Sequence, residues 1–560
     1  MFHQSKSIGL LALLTIVFYV RTSPVDAKDH FLTIGGGYSP TGNQVSLEKN
    51  VVFLQSVLAE KRPDQPAHDI FFADGDDSAP DVQYRDPTFR ETCPLARRMM
   101  AEILGDADEM DLRYRNHQIA NVRGPAELSG IRRRMRQIAA DLKSGDRLLI
   151  YATGHGGAAD NPAEYRYNEN RDSRDRVEAP YNHYDTSLYV WDHESVSASE
   201  FAGWLDQVPQ DVGVVLVMVQ CYAGGFAHAI FREANSDLGL APHARCGFFA
   251  QMHDRGAAGC TPDIKEADYQ EYSSFFWAAL AGRTRTGDSV TAVDLNGDGQ
   301  VSFLEAHAHA VIESDTIDVP VMTSGELLRT YSQSAKVKND AEGNGENPLG
   351  RIIGMFGRTD GTAASGKAIV ELKGPLKALV ERARPDQRAV VERLTAKLEL
   401  GVQPSVESIR RKLEDVHGKT MVANAKLQAA TSTYSNLHER VQERVREIWP
   451  ELNHDFAPLA MELTSDRADE FVATVRGKTS YDALVRAREL QRQASEERLR
   501  LERTEAKLQR LLRACEDIIL AANLPSIAPA EIVTRYEKLV ALESGTLTEA
   551  PTTETRKQNE

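Results

Sequence analysis

From residue 31 to about 315, short apolar runs alternate with segments of helical period. That alternation predicts an α/β fold, a mostly parallel sheet flanked by helices. "HFLTIGG" reads as a first strand, and Leu47, Val51, Leu54 and Leu58 mark one face of the helix after it. "DIFFADG" reads as a second strand. Ile131, Met135, Ile138 and Leu142 then mark another helix, and "DRLLIYATGHGG" a third strand that ends in glycines. "SLYVWD" is a short strand leading to Ser197-Ala198-Ser199-Glu200, a capping box opening the helix that carries Phe201, Trp204 and Leu205. "VGVVLVMV" is continuously apolar, as a central parallel strand buried on both faces must be. "GFFAQM" and the helix "YSSFFWAALAG" follow, while Ala158 to Asp185, rich in Tyr, Asn, Arg and Asp, reads as a long surface loop.

Beyond about residue 365 the composition shifts to Ala, Leu, Glu, Arg and Lys at helical spacing. Ala487, Ala494, Leu501, Leu508 and Cys515 fall seven apart, with Leu511 and Ile518 beside them, which predicts a helical hairpin or coiled coil. The polar stretch from Ser544 is expected to be disordered.

The 560 residues suffice for two or three domains, and the formal charge of -16 argues against a general nucleic-acid binder. At the N-terminus, Lys6, the apolar run Ile8 to Val20 and Val25-Asp26-Ala27 read as a secretory signal peptide. The run of 13 residues is shorter than the roughly 20 that span a bilayer. Export makes disulfides available, yet the five cysteines are an odd, sparse set, so at least one thiol is free. Cys246 and Cys260 are near enough in sequence to be considered a pair.

In open parallel sheets, sites form at the carboxyl ends of strands. His155 follows "LLIYATG" and Cys221 follows "VVLVMVQ", each with glycine close behind. A thiol becomes a nucleophile when a nearby imidazole takes its proton. His155 precedes Cys221 by 66 residues, the reverse of the papain order. "HGG" also suits an esterase oxyanion loop, but the chain has no G-x-S-x-G elbow.

Over residues 31 to 330, "IYATGHGG" and "VMVQCYAGGF" resemble the strand-then-His-Gly and strand-then-Cys motifs of the caspase-like cysteine peptidases, which include caspases, metacaspases, legumain and gingipains. The resemblance implies a caspase-like fold, His155 as general base, Cys221 as nucleophile, and an oxyanion hole from the N–H groups of Gly156 and Cys221. Asp74, Asp76, Asp77 and Asp81 would favour a basic side chain before the cleaved bond and Arg255 an acidic one. Asp254 and Asp263 stand nearby, and no pocket residue is assigned.

"DLNGDGQVSFLE", Asp294 to Glu305, fits the EF-hand pattern at every specified position. Calcium takes about seven oxygens. Asp294, Asn296 and Asp298 supply side chains, Gln300 its carbonyl, Ser302 a direct or water-mediated contact, and Glu305 both carboxylate oxygens. Gly299 permits the sharp turn. With one loop only, a structural or weakly regulatory ion is expected.

The expected organisation is a signal peptide at 1–27, a caspase-like peptidase domain at 28–330, a linker at 331–364, a helical region at 365–543 and a tail at 544–560. The expected activity is that of an exported cysteine endopeptidase, secreted or periplasmic. It would act on protein or peptide substrates and have no integral membrane segment after signal cleavage. The alternatives are a catalytically inactive, calcium-binding scaffold acting through its C-terminal helices, and a cell-envelope assembly element regulated by the α/β domain. The helices leave open a helical protein partner or self-association.

Overall fold

The computed structural model describes residues 27–64, 66–159, 182–243, 245–333 and 369–548. The expected signal peptide therefore lies, but for its last residue, outside the described residues, as do most of the expected loop over 158–185 and of the linker.

The strands, in chain order, are β1 (Asp29–Gly35), β2 (Ala67–Phe72), β3 (Val82–Arg85), β4 (Leu112–Arg115), β5 (Arg147–Thr153), β6 (Gly156–Gly157), β7 (Ser187–Tyr189), β8 (Ser195–Ser197), β9 (Gly213–Met218), β10 (Arg245–Phe249) and β11 (Val321–Met322). Six of them form the central sheet in the order β11-β10-β9-β5-β1-β2. Every neighbouring pair is parallel except β10 with β11. The continuous apolar run of β9 follows from its place between β5 and β10: Val215 and Val217 enter one core, and Val214, Leu216 and Met218 the other.

The first core is closed by α1 (Val45–Lys61) and, further along the chain, by "YSSFFWAALA" and "FLEAHAHAVIE"; the second is closed by helices over 128–141 and 198–205. Numbered in order, the longer helices after α1 are α2 (Leu95–Leu104), α3 (Leu128–Asp141), α4 (Ala198–Leu205), α5 (Tyr272–Ala281), α6 (Phe303–Glu313), α7 (Thr323–Tyr331), α8 (Pro385–Lys397), α9 (Val406–Ile448), α10 (Ala468–Lys478), α11 (Tyr481–Ile527) and α12 (Ala530–Glu543). Ser197 caps α4 by accepting from the Glu200 N–H, while the Glu200 carboxylate pairs with Arg132 on α3.

The predicted hairpin is α9 against α11. Val406, Ile409 and Leu413 at the start of α9 pack with Leu508, Leu511, Cys515 and Ile518 near the end of α11, together with Val311 and Ile312 of α6. At the other end Val441 and Val445 meet Tyr481 and Leu484, joined by Met99, Met100 and Ile103 of α2. The two helices are thus antiparallel and anchored on the α/β domain at both ends.

The C-terminal chain also enters the main core. Leu520, Leu524, Leu539, Leu542 and Leu547 belong to the same cluster as Val215 and Val217. The expectation of disorder from Ser544 is corrected for 544–548. The Gly545 carbonyl accepts from Phe303 N (2.9 Å), the Thr546 carbonyl from Arg147 (2.7 Å), and the Leu547 carbonyl from Arg62 (3.2 Å). One leucine with a place in the core and three satisfied carbonyls order a segment that its polar composition would leave free.

Candidate functional site

The site lies at the carboxyl ends of β5 and β9. After β5 the chain turns through Gly154 to His155 and enters β6. After β9 it passes Val219 and the buried Gln220 to Cys221, and Tyr222 takes a left-handed conformation (φ 59°). A Cβ on Gly156 would overlap the Cys221 carbonyl oxygen and lie 2.7 Å from Gln220 Cγ. Glycine at 156 is what lets the backbones of the two motifs touch. Gly224 serves the same turn, since a Cβ there would lie 2.7 Å from the His253 nitrogen.

His155 is half-buried, and burial holds its imidazole below the ordinary value, so the ring is neutral near pH 7. Its Nε2 is 2.8 Å from the Gly42 carbonyl oxygen and 3.0 Å from Gln44 Oε1. A carbonyl only accepts, so Nε2 carries the proton and Nδ1 keeps a lone pair. Tyr38 stands edge-on to the ring at 5.4 Å.

Cys221 Sγ accepts from Ala257 N at 3.3 Å. Burial pushes its thiol above the ordinary value; the Ala257 amide opposes this and the Asp318 carboxylate adds to it. Among the described residues, no hydrogen bond joins His155 to Cys221. Burial thus leaves a protonated thiol at the end of β9 and a neutral imidazole at the end of the adjacent β5.

Cys246 and Cys260 are both free, which corrects the considered pairing. Cys246 sits inside β10, whereas Cys260 lies beyond its carboxyl end with Sγ 3.8 Å from the Gly154 carbonyl. Burial lifts the Cys260 thiol to about 12.

Three of these charged residues are engaged by distant parts of the chain. Asp81 accepts from His117 N (2.9 Å), Arg255 donates to Gln509 (2.9 Å), and Asp263 pairs with Arg85 (3.3 Å). Burial, with Asp81 and Asp77 nearby, raises Asp74 to about 7.

The loop 294–305 is folded on itself. Glu305 Oε1 accepts from Leu295 N (2.7 Å) and Asn296 N (3.1 Å), and Oε2 from Ser302 N (2.8 Å) and Ser302 Oγ (2.9 Å). Asp294 accepts from Gly297 N (2.7 Å) and Gly299 N (3.0 Å), and Asp298 from Gln300 N (2.8 Å). Asp294, Asn296 and Asp298 are exposed, and Gly299 makes the sharp turn at φ 85°. Among the described residues no three His, Cys, Asp or Glu side chains converge on a metal position. The donor set and the turn still fit calcium chemistry: the carboxylates here hold amide protons with the oxygens an ion would take.

Sequence reasoning missed Gly42, Gln44, Ala257 and Asp318, each far in sequence from the group it touches. None lies in a local pattern that would have marked it.

No protein-family model matches this sequence, and no curated protein matches it. Among solved structures, a structural-genomics protein of Geobacter sulfurreducens aligns at 12% identity over 53% of this chain and 92% of that chain; its TM-score of 0.26 carries no argument.

Proposed function

We propose that the chain is an exported cysteine endopeptidase of the caspase-like kind. The observation that supports this reading is the close approach of the Gly156 and Cys221 backbones, which brings the histidine and cysteine motifs together at adjacent strand ends while His155 Nδ1 keeps its lone pair. In the proposed reaction the Cys221 proton passes to His155 Nδ1 and the sulfur attacks the scissile carbonyl carbon. The N–H groups of Gly156 and Cys221 would take the charge that develops on oxygen. The C–N bond then breaks, His155 returns its proton to the leaving amine, and water hydrolyses the thioester to free Cys221. Calcium would be held by Asp294, Asn296, Asp298, Glu305, Ser302 and the Gln300 carbonyl, supplying a charge that fixes the loop opening α6.

The competing reading is a catalytically inactive scaffold. It draws on the raised Cys221 thiol and on the lack of a hydrogen bond from His155 to it. A thiol-reactive peptidyl probe separates the two. Covalent labelling at Cys221, lost in His155→Ala, is expected of the peptidase, and no labelling under conditions that hydrolyse no library peptide would leave the scaffold.

A further inference from the structure

The sulfur of Cys221 is contacted by a turn that the helical region holds in place. Ala257 N points at Sγ from 3.3 Å, and a Cβ on Gly256 would lie 3.6 Å from the same sulfur. The next amide, Ala258 N, donates to Asp318 Oδ1 at 2.7 Å. Gln251 fastens the turn from the other side, with Nε2 donating to the Gly256 carbonyl at 3.0 Å. Asp318 and Gln251 are both fully buried at 0% exposure, and Asp318 Oδ2 has no partner, so this carboxylate is kept in the interior at a cost in solvation.

Asp318 is itself held from α11. Arg510, 2% exposed, donates to five acceptors on one short stretch. Nε reaches the Asp318 carbonyl (2.6 Å), Nη1 the carbonyls of Val311 (3.0 Å) and Ser314 (2.8 Å), and Nη2 the Thr316 carbonyl (3.1 Å) and Oγ1 (3.0 Å). A planar guanidinium with every donor used fixes the backbone from the end of α6 to Asp318.

We propose that Asp318 is a positioning residue for Cys221, with Arg510 holding Asp318 in that role. The carboxylate fixes the 256–258 turn, and the turn keeps the Ala257 N–H aimed at the sulfur. An N–H directed at sulfur strengthens as the sulfur gains negative charge, so it favours the thiolate. The inference rests on the peptidase reading for its purpose, but its test reads the sulfur and needs no peptide hydrolysis.

The full chain is alkylated with iodoacetamide at pH 7.5, and the rate at Cys221 is read by mass spectrometry on the peptide containing it, with Cys260 followed on its own peptide. Asp318→Ala should slow Cys221 by about tenfold, the misplaced Ala257 N–H outweighing the relief of the carboxylate's repulsion, which Asp318→Asn gives equally. Asp318→Asn keeps an oxygen acceptor for Ala258 N and should stay within about threefold of the parent. A merely structural carboxylate would lower the melting temperature in both variants without this difference in rate. Where Asp318→Ala does not fold, Ala257→Pro removes the donor itself and should slow Cys221 to the same degree. Unchanged alkylation in folded Asp318→Ala or Ala257→Pro overturns the proposal, as does a parent Cys221 no faster than Cys260. A parent that alkylates at Cys221 with the expected variant pattern but cleaves no peptide leaves the positioning role standing and removes the peptidase.

Discussion

Gln44 Oε1 sits 3.0 Å from His155 Nε2, where it shares with the Gly42 carbonyl the single proton that nitrogen carries. The side chain at 44 therefore sets the charge felt by the ring from the side away from its free nitrogen. Gln44→Glu places a carboxylate there and favours the imidazolium. The acid limb of kcat/KM should move up by about one pH unit, and a pH-rate profile or ring NMR titration would show it. An unmoved limb would sink the role given to His155.

Cys221→Ala should abolish hydrolysis while leaving the melting temperature close to the parent's, since it removes one sulfur from a half-buried position. His155→Ala should reduce kcat/KM by roughly a hundredfold or more, the usual scale of a lost general base. Undiminished hydrolysis by either variant contradicts the assignment.

Glu305 accepts four hydrogen bonds through two oxygens, and a glutamine has only one acceptor. Glu305→Gln should cost about 1–2 kcal/mol without added calcium. Its calcium affinity should fall by roughly tenfold or more. Thermal melts with and without calcium test both halves. Equal calcium-induced stabilisation of parent and variant would refute the ligand role.

Glu543 is fully buried, its Oε1 accepting from Thr323 Oγ1 and Ser324 N at 2.8 Å each. Burial raises its carboxyl to about 7, above the unfolded value of 4.5. A raised pKa contributes stability that is present below pH 4.5 and lost as pH rises through about 7. Glu543→Gln removes that titration. Relative to the variant, the parent should lose about 3 kcal/mol between pH 4 and pH 8. Parallel denaturation curves across this window would contradict it.

Truncation after Gln333 strips Leu520, Leu524, Leu539, Leu542 and Leu547 from the main core. Losing each buried leucine costs about 2–5 kcal/mol against a total of roughly 5–15. The remaining chain should be insoluble or unfolded, checked by circular dichroism. A soluble, cooperatively melting fragment would show that the α/β domain stands alone.

The architecture was legible where burial imposes a local pattern. β9 announced itself because both its faces are covered, and the stripe through the buried Leu501, Leu508 and Cys515 because a helix packed along one face repeats its apolar positions. The strand-end positions of His155 and Cys221 could be read for the same reason. What could not be read was long-range. Leu547 gives no periodic signal, and the partners Gly42, Ala257 and Asp318 are brought in by the tertiary fold rather than by spacing. Arg510 looks in sequence like any charged residue on a long helix, yet it is buried where α11 crosses a stretch whose carbonyls accept its protons.

The placement of Leu547 fixes an order of events in the life of the chain. Its carbonyl meets Arg62 across 485 positions, and that of Thr546 meets Arg147 across 399. Contacts so distant in sequence make folding slow. The sheet is fully synthesised once Met322 has been added, but roughly 200 residues must follow before the leucine that closes its core exists, about 10–40 s at ordinary synthesis rates. For that interval the part of this core that Leu520, Leu524, Leu539, Leu542 and Leu547 will fill is uncovered, although α1, α5 and α6 already exist, and a half-made chain offers chaperones and other half-made copies the same sticky surface.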